Sequence, residues 1–373
     1  MSTAYIVDYL RSPFAPAYRG ALAGFRPDDL VAGVIKALVN GSGIDPAEIE
    51  DVNLGCAFPE GEQGLNIARC AALIAGLPQS VGGSTVNRWC GSSMQAIQMA
   101  AGAIAMGAGD VFVAGGVESM SRVPMMGFNP MPNPDWSDTQ RTAFLNMGLT
   151  AENLADRYDL SREEQDAYSL ESQKKALAAH ADGRLAAEIA PVGDVAADGC
   201  PRETDADKLA GLKTAFKAGG SVTAGNSSPL TDGASATLVC SEDFVKRHKL
   251  SPLARVAGYA ITGCAPEIMG IGPVEATRKA LKRAGISAAD LDVIEMNEAF
   301  AAQVLACCRD LDIDPASLNR DGGAIALGHP LGATGARLVG KAARLLNRDG
   351  GRFGLATQCI GGGQGIAMVL EAA

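Results

Sequence analysis

A cysteine that opens a helix is a candidate nucleophile, and this 373-residue chain carries one at Cys90. It lies in Val86-Asn-Arg-Trp-Cys-Gly-Ser-Ser-Met94, after a β-type run (Ser84–Val86) and before an Ala-rich helical run. The positive end of a helix dipole favours thiolate at such a position. Gly91 and Ser92 leave room for a carbonyl beside backbone N–H groups. The plainer reading is a buried structural thiol.

His329 lies in Gly322-Gly-Ala-Ile-Ala-Leu-Gly-His-Pro-Leu-Gly-Ala-Thr-Gly335. Glycine on both sides allows close approach to a ligand, and Pro330 restricts the histidine to an extended or turn backbone. An imidazole there can take a thiol proton; a capping or core histidine is the alternative. Cys359 lies in Ala356-Thr-Gln-Cys-Ile-Gly-Gly-Gly-Gln-Gly365, a strand end before a glycine cluster. Such ends are where α/β proteins place ligands. The cluster lacks the acidic residue and following βαβ unit of a dinucleotide site. Asn297-Glu-Ala-Phe300 follows another strand, and Asn297 can orient water or cap a helix. Taken together, these residues suit acyl transfer. A thiolate attacks, a histidine activates it, a second thiol moves a proton, and backbone N–H groups hold an oxyanion.

The elements that must position these groups alternate. Ile6–Val7, Val52–Leu54, Asp110–Ala114 ending in Gly115-Gly116, Val293–Met296 and Phe353–Ile360 are strand candidates. Leu30, Val31, Val34, Ile35, Leu38 and Val39 recur at helical spacing, closing at Gly41. Asp45-Pro-Ala-Glu48 is a capped helix start. The alternation predicts a mostly parallel sheet with helices on its faces. Pro124, Pro130, Pro132 and Pro134 make 122–146 irregular, and Ser161-Arg-Glu-Glu164 caps a helix running to about His180. Residues 121–224 form an inserted loop domain on this reading. In both outer thirds a reactive side chain opens a helix and a glycine cluster follows the next strand, which hints at a duplicated unit.

The bulk composition narrows the function. The net charge is −10, which argues against a nucleic-acid partner. A local pocket can still hold an anionic ligand. Nine cysteines without CxxC spacing argue against a disulfide framework, and with only three histidines (His180, His248, His329) no zinc spacing appears. The first residues do not resemble a signal peptide. No apolar run reaches membrane length, and the last residues carry no targeting tripeptide. The cytoplasm is the expected location.

The chain resembles the thiolase family over essentially its full length. The likeness is carried by Asn87–Met94, Gly115-Gly-Val-Glu-Ser-Met120, Met147-Gly-Leu-Thr-Ala-Glu-Asn153, Thr223-Ala-Gly-Asn226, Asn297–Phe300, Gly322–Gly335 and Cys359–Gly365. It implies an α/β fold of five αβαβα layers in two similar halves. These are 1–120 plus 225–250 and 251–373, with the loop domain 121–224 between them. By the same resemblance, Cys90 is acylated, and His329 activates it and helps hold the thioester oxygen. Cys359 is the second acid/base, and Asn297 holds a water of one oxyanion hole. The N–H groups of Cys90 and Gly361 form the other hole. Ser228 and Arg202 match coenzyme A contacts. Met147, Met269, Ala299 and Phe300 match substrate-binding positions, the two methionines lining the acyl pocket.

The implied reaction is thiolysis of 3-ketoacyl-CoA in fatty-acid β-oxidation. Coenzyme A is a co-substrate, with no metal or redox cofactor. A homodimer or homotetramer is implied, with room for a hydratase/dehydrogenase partner subunit. A biosynthetic acetoacetyl-CoA thiolase and a non-catalytic acyl-CoA or lipid carrier remain alternatives. The sequence departs from the family at Asn146, where biosynthetic members typically carry His. It departs also at Trp89, usually a smaller apolar residue, and at Asp321, often Asn. The 122–146 segment is shorter than in tetrameric biosynthetic thiolases.

Overall fold

The structure is a computed structural model and describes residues 2–373. In chain order its elements begin with β1 (Ala4–Arg11), β2 (Ala15–Pro16), α1 (Pro27–Ser42), β3 (Asp51–Gly55), α2 (Ile67–Ile74), β4 (Ser84–Val86), α3 (Ser92–Met106) and β5 (Val111–Ser119). Four helices follow: α4 (Asp138–Arg141), α5 (Met147–Arg157), α6 (Arg162–Ala181) and α7 (Ala206–Ala210). Then come β6 (Thr231–Ser241), α8 (Glu242–His248), β7 (Ala254–Gly263), α9 (Gly272–Ala284), β8 (Val293–Met296) and α10 (Ala301–Leu311). The chain closes with α11 (Ala324–Leu327), α12 (Leu331–Asp349), β9 (Phe353–Ile360) and β10 (Gln364–Ala372).

The strands lie in the order β4-β3-β5-β6-β1-β7-β10-β9-β8, with β2 beside β6. The expected mostly parallel sheet does not form. Only β3–β4, β3–β5 and β8–β9 pair in parallel; the other pairs are antiparallel. β9 returns directly into β10 through Gly361–Gly363, too short a link for a parallel crossover. β6 comes back only after the long 121–224 excursion and enters antiparallel to β5.

Two half-sheets meet where β1 touches β7 at only Tyr5↔Arg255 and Ile6↔Ala254. Three apolar cores fix the layers. Leu30, Val34, Ile35 and Leu38 of α1 and Ile67 and Ala71 of α2 cover Leu54, Val113 and Leu238 on one outer face. Ile97 and Ile104 of α3 and Leu338, Val339 and Leu345 of α12 fill the centre, against Phe112 and Val239 of one half and Ile366 and Met368 of the other. Leu281 of α9 and Val304 and Leu311 of α10 cover Leu355 and Val369 on the far face. The order is helix, sheet, helix, sheet, helix, and α3 and α12 share the middle layer. That layer carries the two reactive helix starts.

Several expected boundaries move. β1 spans eight residues rather than Ile6–Val7. α1 closes at Gly43, with φ 71°, two residues beyond Gly41. Asp45 caps a single 3-10 turn, accepting the Ala47 N–H at 2.9 Å. The strand expected to stop at Gly115-Gly116 runs on to Ser119. The glycines serve close approach rather than a turn: a side chain at Gly116 would run into the carbonyl of Gly332 in the first turn of α12. The α6 helix begins in a capping box between Ser161 and Glu164, as expected.

Residues 121–224 supply no strand to the sheet. They are tied to both halves by buried ion pairs. Arg11 of β1 holds Asp198 at 2.6 Å and Glu188 at 2.8 Å. Glu188 also holds Lys341 of α12 at 2.9 Å, and Lys341 reaches Asp321 at 2.9 Å. Arg184 and Arg348 close on the same Asp321 at 2.5 and 2.8 Å. Asp321, where the family often has Asn, therefore carries a charge matched by three cations.

Burial alone would raise the Glu188 carboxyl, but Lys341 and Arg11 hold it down at about 2. Its unfolded value is about 4.3. Its stabilisation is thus full above that pH and is lost as pH falls toward 2. Glu188→Ala leaves Arg11 to Asp198 and Lys341 to Asp321 alone and is expected to cost about 1.5–3 kcal/mol at neutral pH, the scale of a lost charge-assisted hydrogen bond. A urea midpoint unchanged from wild type would refute this.

Candidate active site

Cys90 sits in a one-turn 3-10 segment, Trp89–Gly91, between β4 and α3. The turn forces Trp89 to φ 43°, a left-handed backbone that a bulky residue rarely adopts. Side chains lock it there. Asn87 Oδ1 accepts the Trp89 N–H at 2.8 Å, and Ser92 Oγ donates to the Trp89 carbonyl at 2.6 Å while accepting the Arg88 N–H at 2.8 Å. Arg88 braces the turn through Gln95 at 2.9 Å and Gln364 of β10 at 2.8 Å. Gln358 Nε2 donates to the Cys90 carbonyl.

Cys90 is half-buried. Burial pushes its thiol up to about 11, although the N–H groups of Gly361 and of Cys90 itself face the sulfur and oppose the shift. The helix start was expected to favour thiolate. Here desolvation outweighs the dipole, so the resting group is a neutral thiol that needs a base.

His329 enters α12 from the other side of the middle layer. Its N–H donates to Thr231 Oγ1 at 3.0 Å. Its Nδ1 lies 2.7 Å from Thr334 Oγ1, and its Nε2 lies 3.3 Å from Asn297 Nδ2. With the amide nitrogen as donor, Nε2 accepts and Nδ1 carries the proton, donated to Thr334; the partners assign this tautomer. Burial, with Arg337 nearby, lowers the imidazole to about 3. Both the imidazole and the Cys90 thiol are therefore neutral at rest.

Asn297 is buried at the end of β8, and its Oδ1 has no protein partner, an acceptor open to a water. Its neighbour Glu298 holds the loop behind it. Glu298 accepts from Tyr168 at 2.9 Å, Ser172 at 2.7 Å, Asn319 at 2.7 Å and the Ile325 N–H at 3.1 Å. Cys359, near the end of β9, is buried. Burial first, then the neighbouring Cys90 and Cys307, push its thiol well above the usual range. The Gly361 N–H and Cys359 thus lie against Cys90, and Asn297 lies against His329.

Met147, Met269, Ala299 and Phe300 also come together, in one apolar cluster with Ala151, Val222 and Cys359. Ala151 and Val222 escape sequence reading because their local patterns are those of ordinary helix and loop. Ser228 is half-buried against this wall, its N–H and Oγ both donating to the Ala299 carbonyl at 3.0 and 3.1 Å. Arg202 is exposed, its guanidinium 3.5 Å from the Ala224 carbonyl on the Thr223–Asn226 turn. The structure does not bring it to the sulfur.

Glu118 was not singled out in the sequence. It is buried and accepts the N–H groups of Ala57 (2.8 Å), Phe58 (3.2 Å) and Gly332 (2.9 Å), and Gln63 Nε2 (2.8 Å). It anchors the start of α12, and so His329, to β5. The available signal was a carboxylate inside the otherwise apolar run Val111–Val117 and Ser119.

Family models for the thiolase N-terminal domain and the thiolase C-terminal domain match residues 4–243 and 250–372. This chain belongs to the thiolase family. It is 46% identical over 400 residues to the beta-ketoadipyl-CoA thiolase of Escherichia coli, covering all of both chains. It is 43% identical over 389 residues to the 3-ketoacyl-CoA thiolase of Bacillus subtilis, again covering all of both. Its fold matches human mitochondrial 3-ketoacyl-CoA thiolase, solved in complex with CoA, with TM-score 0.92 and 40% identity over 100% of this chain and 98% of that one. As a thiolase the chain is an acyltransferase. Among its described residues, no helix is long and apolar enough to cross a membrane.

Proposed function

We propose that this thiolase cleaves 3-ketoacyl-CoA with free coenzyme A, giving acetyl-CoA and an acyl-CoA two carbons shorter, through an acyl-Cys90 intermediate. The observation that carries this reading is the sulfur of Cys90 under two backbone N–H groups, with a second thiol at Cys359 beside it, an apolar wall that includes Cys359, and a buried neutral His329 bonded to Asn297. Names of relatives that act on 3-ketoacyl-CoA support the substrate class.

His329 Nε2 takes the Cys90 proton as the sulfur attacks the 3-keto carbon. The N–H groups of Cys90 and Gly361 hold the oxyanion that forms. The bond between C2 and C3 then breaks. Its electron pair enters the acetyl-CoA enolate, whose thioester oxygen is held by the protonated His329 and a water on Asn297. Cys359 protonates the enolate carbon, and acetyl-CoA leaves. The Cys359 thiolate then takes the proton of incoming coenzyme A. The new thiolate attacks the acyl-Cys90 thioester, and the departing Cys90 sulfur recovers its proton from His329. Hydrogen bonds carry every developing charge, so the reaction requires no metal or redox cofactor.

Residues 121–224 are the loop domain on this reading, with Arg202 and nearby Ser228 toward coenzyme A. The halves are 1–120 plus 225–250 and 251–373. The open edge of β4, half-buried and next to Cys90, suits pairing in a homodimer. Exposed Met125, Phe128 and Met131 suit a further contact, in a tetramer or with a hydratase/dehydrogenase subunit. The place of work is the cytoplasm.

Thiolysis of acetoacetyl-CoA and 3-ketodecanoyl-CoA tests the reading. Both substrates are expected to be cleaved. Activity confined to the four-carbon substrate would favour the acetoacetyl-CoA alternative, and activity on neither would favour a carrier.

A further inference from the structure

Gln358 is fully buried near the end of β9, where every second side chain enters the central apolar core. Ala356 and Ile360, on either side of it in that alternation, belong to this core. A polar amide is out of place there. Its Nε2 donates to the Cys90 carbonyl, and its Oε1 has no partner among the described residues. Exchanging the two ends would set oxygen against oxygen, so the partner assigns the amide. A buried oxygen without a donor costs stability, and an apolar side chain of the same length would avoid that cost. What the amide adds is the bond to Cys90.

That bond crosses between the halves. The turn Trp89–Gly91 carries the nucleophile with Trp89 at φ 43°, a backbone that persists only where its surroundings hold it. Within the N-terminal half, Asn87 and Ser92 hold Trp89, and the Arg88 carbonyl accepts the Gly91 N–H at 2.9 Å. From the C-terminal half, Gln364 of β10 takes Arg88 at 2.8 Å. Ile360 of β9 packs so close to Gly91 that a Cβ there would fall 2.6 Å from its Cδ1. Gln358 reaches the nucleophile itself. The peptide between Cys90 and Gly91 is thus held at both ends, its oxygen by Gln358 and its N–H by Arg88. Cys359 is the next residue on β9, and Gly361, whose N–H faces the Cys90 sulfur, follows the strand's end.

We propose that Gln358 is a positioning residue for thiolysis: its amide ties the Cys90 peptide to the strand that carries Cys359 and leads into Gly361, and so keeps the sulfur under the Gly361 N–H. The inference rests on the thiolytic reading given above. The amide meets Cys90 at the carbonyl, not at the sulfur, and takes no proton. Without it the turn can shift against the strand, and the Gly361 N–H then misses the oxyanion. Substrate binding does not depend on this bond, so the loss falls on the rate.

Gln358→Met removes the donor and keeps the length of the side chain. The readout is single-turnover acylation of Cys90 across a range of 3-ketodecanoyl-CoA concentrations. The maximal rate is expected to fall about tenfold to a hundredfold, the scale of a small misplacement beside the reacting atoms. The half-saturating concentration is expected to stay within about twofold of wild type, because the lost interaction serves the transition state rather than binding. Gln358→Leu also lacks the donor but fills the space differently, so the same split is expected of it, and it serves if the Met variant does not fold. A maximal rate within about threefold of wild type overturns the proposal, as does a half-saturating concentration that rises in step with the loss of rate. A lowered urea midpoint with normal acylation would make Gln358 structural only and overturns it too. A wild type that forms no acyl-Cys90 would sink the reaction and this role together, whereas a normal wild type with unimpaired variants would sink the role alone.

Discussion

Cys90→Ala is expected to lower thiolysis by on the order of 10⁴-fold or more, the loss seen when a covalent nucleophile is removed from a site that otherwise still binds. The size follows from the absence of a substitute. Cys359 is the nearest other thiol, but it is fully enclosed and its thiol is pushed well above the usual range. Attack by coenzyme A directly on the ketone would lack the two N–H groups that face the Cys90 sulfur. The fold should survive, because Cys90 is half-buried and belongs to none of the three main cores. Mass spectrometry gives a second view. Wild type incubated with 3-ketodecanoyl-CoA should carry an eight-carbon acyl mass on the peptide containing Cys90, and the variant none. Thiolysis by Cys90→Ala within tenfold of wild type would end the covalent mechanism.

His329→Ala should cost on the order of 10³-fold in the acylation step, since general-base help contributes about 10²–10⁴. Its pH signature is more telling than its size. Cys90 lies at about 11 and His329 at about 3, so both are neutral from pH 6 to 9. Acylation of wild type should therefore be flat across that window. Without the imidazole the thiolate must form unaided. Its fraction climbs roughly tenfold per pH unit below its pKa, and the variant's rate should climb with it. The slope is positive because a raised thiol pKa leaves the reactive anion scarce until the pH approaches it. Single-turnover acylation across the window measures this. A flat profile in His329→Ala would assign the base to another group.

The chemical residues were legible because each broke the local pattern. Cys90, His329 and Asn297 sit at helix starts or strand ends, and Cys359 beside a glycine run, where backbone donors are free and side chains are few. The long, strongly periodic elements were legible for the related reason that period alone decides them, as in α1 and α6. Strand direction was not. A βαβ pattern predicts parallel neighbours, but β6 and β10 enter antiparallel, because one returns from a long insertion and the other from a three-residue turn.

Charge state was decided only in three dimensions. The helix start before Ser92 argued for a thiolate at Cys90, while the folded surroundings hold it as a thiol. Burial is a sum over neighbours from both halves, and no stretch of sequence contains that sum. The same holds for Asp321, whose three cationic partners lie far apart along the chain. It holds for Glu118, which joins β5 to the start of α12. Sequence by itself determined which groups can react and in what order they stand along the chain. The tertiary structure alone decided that α3 and α12 share one layer, which packs the helix that starts beside Cys90 against the helix that starts beside His329.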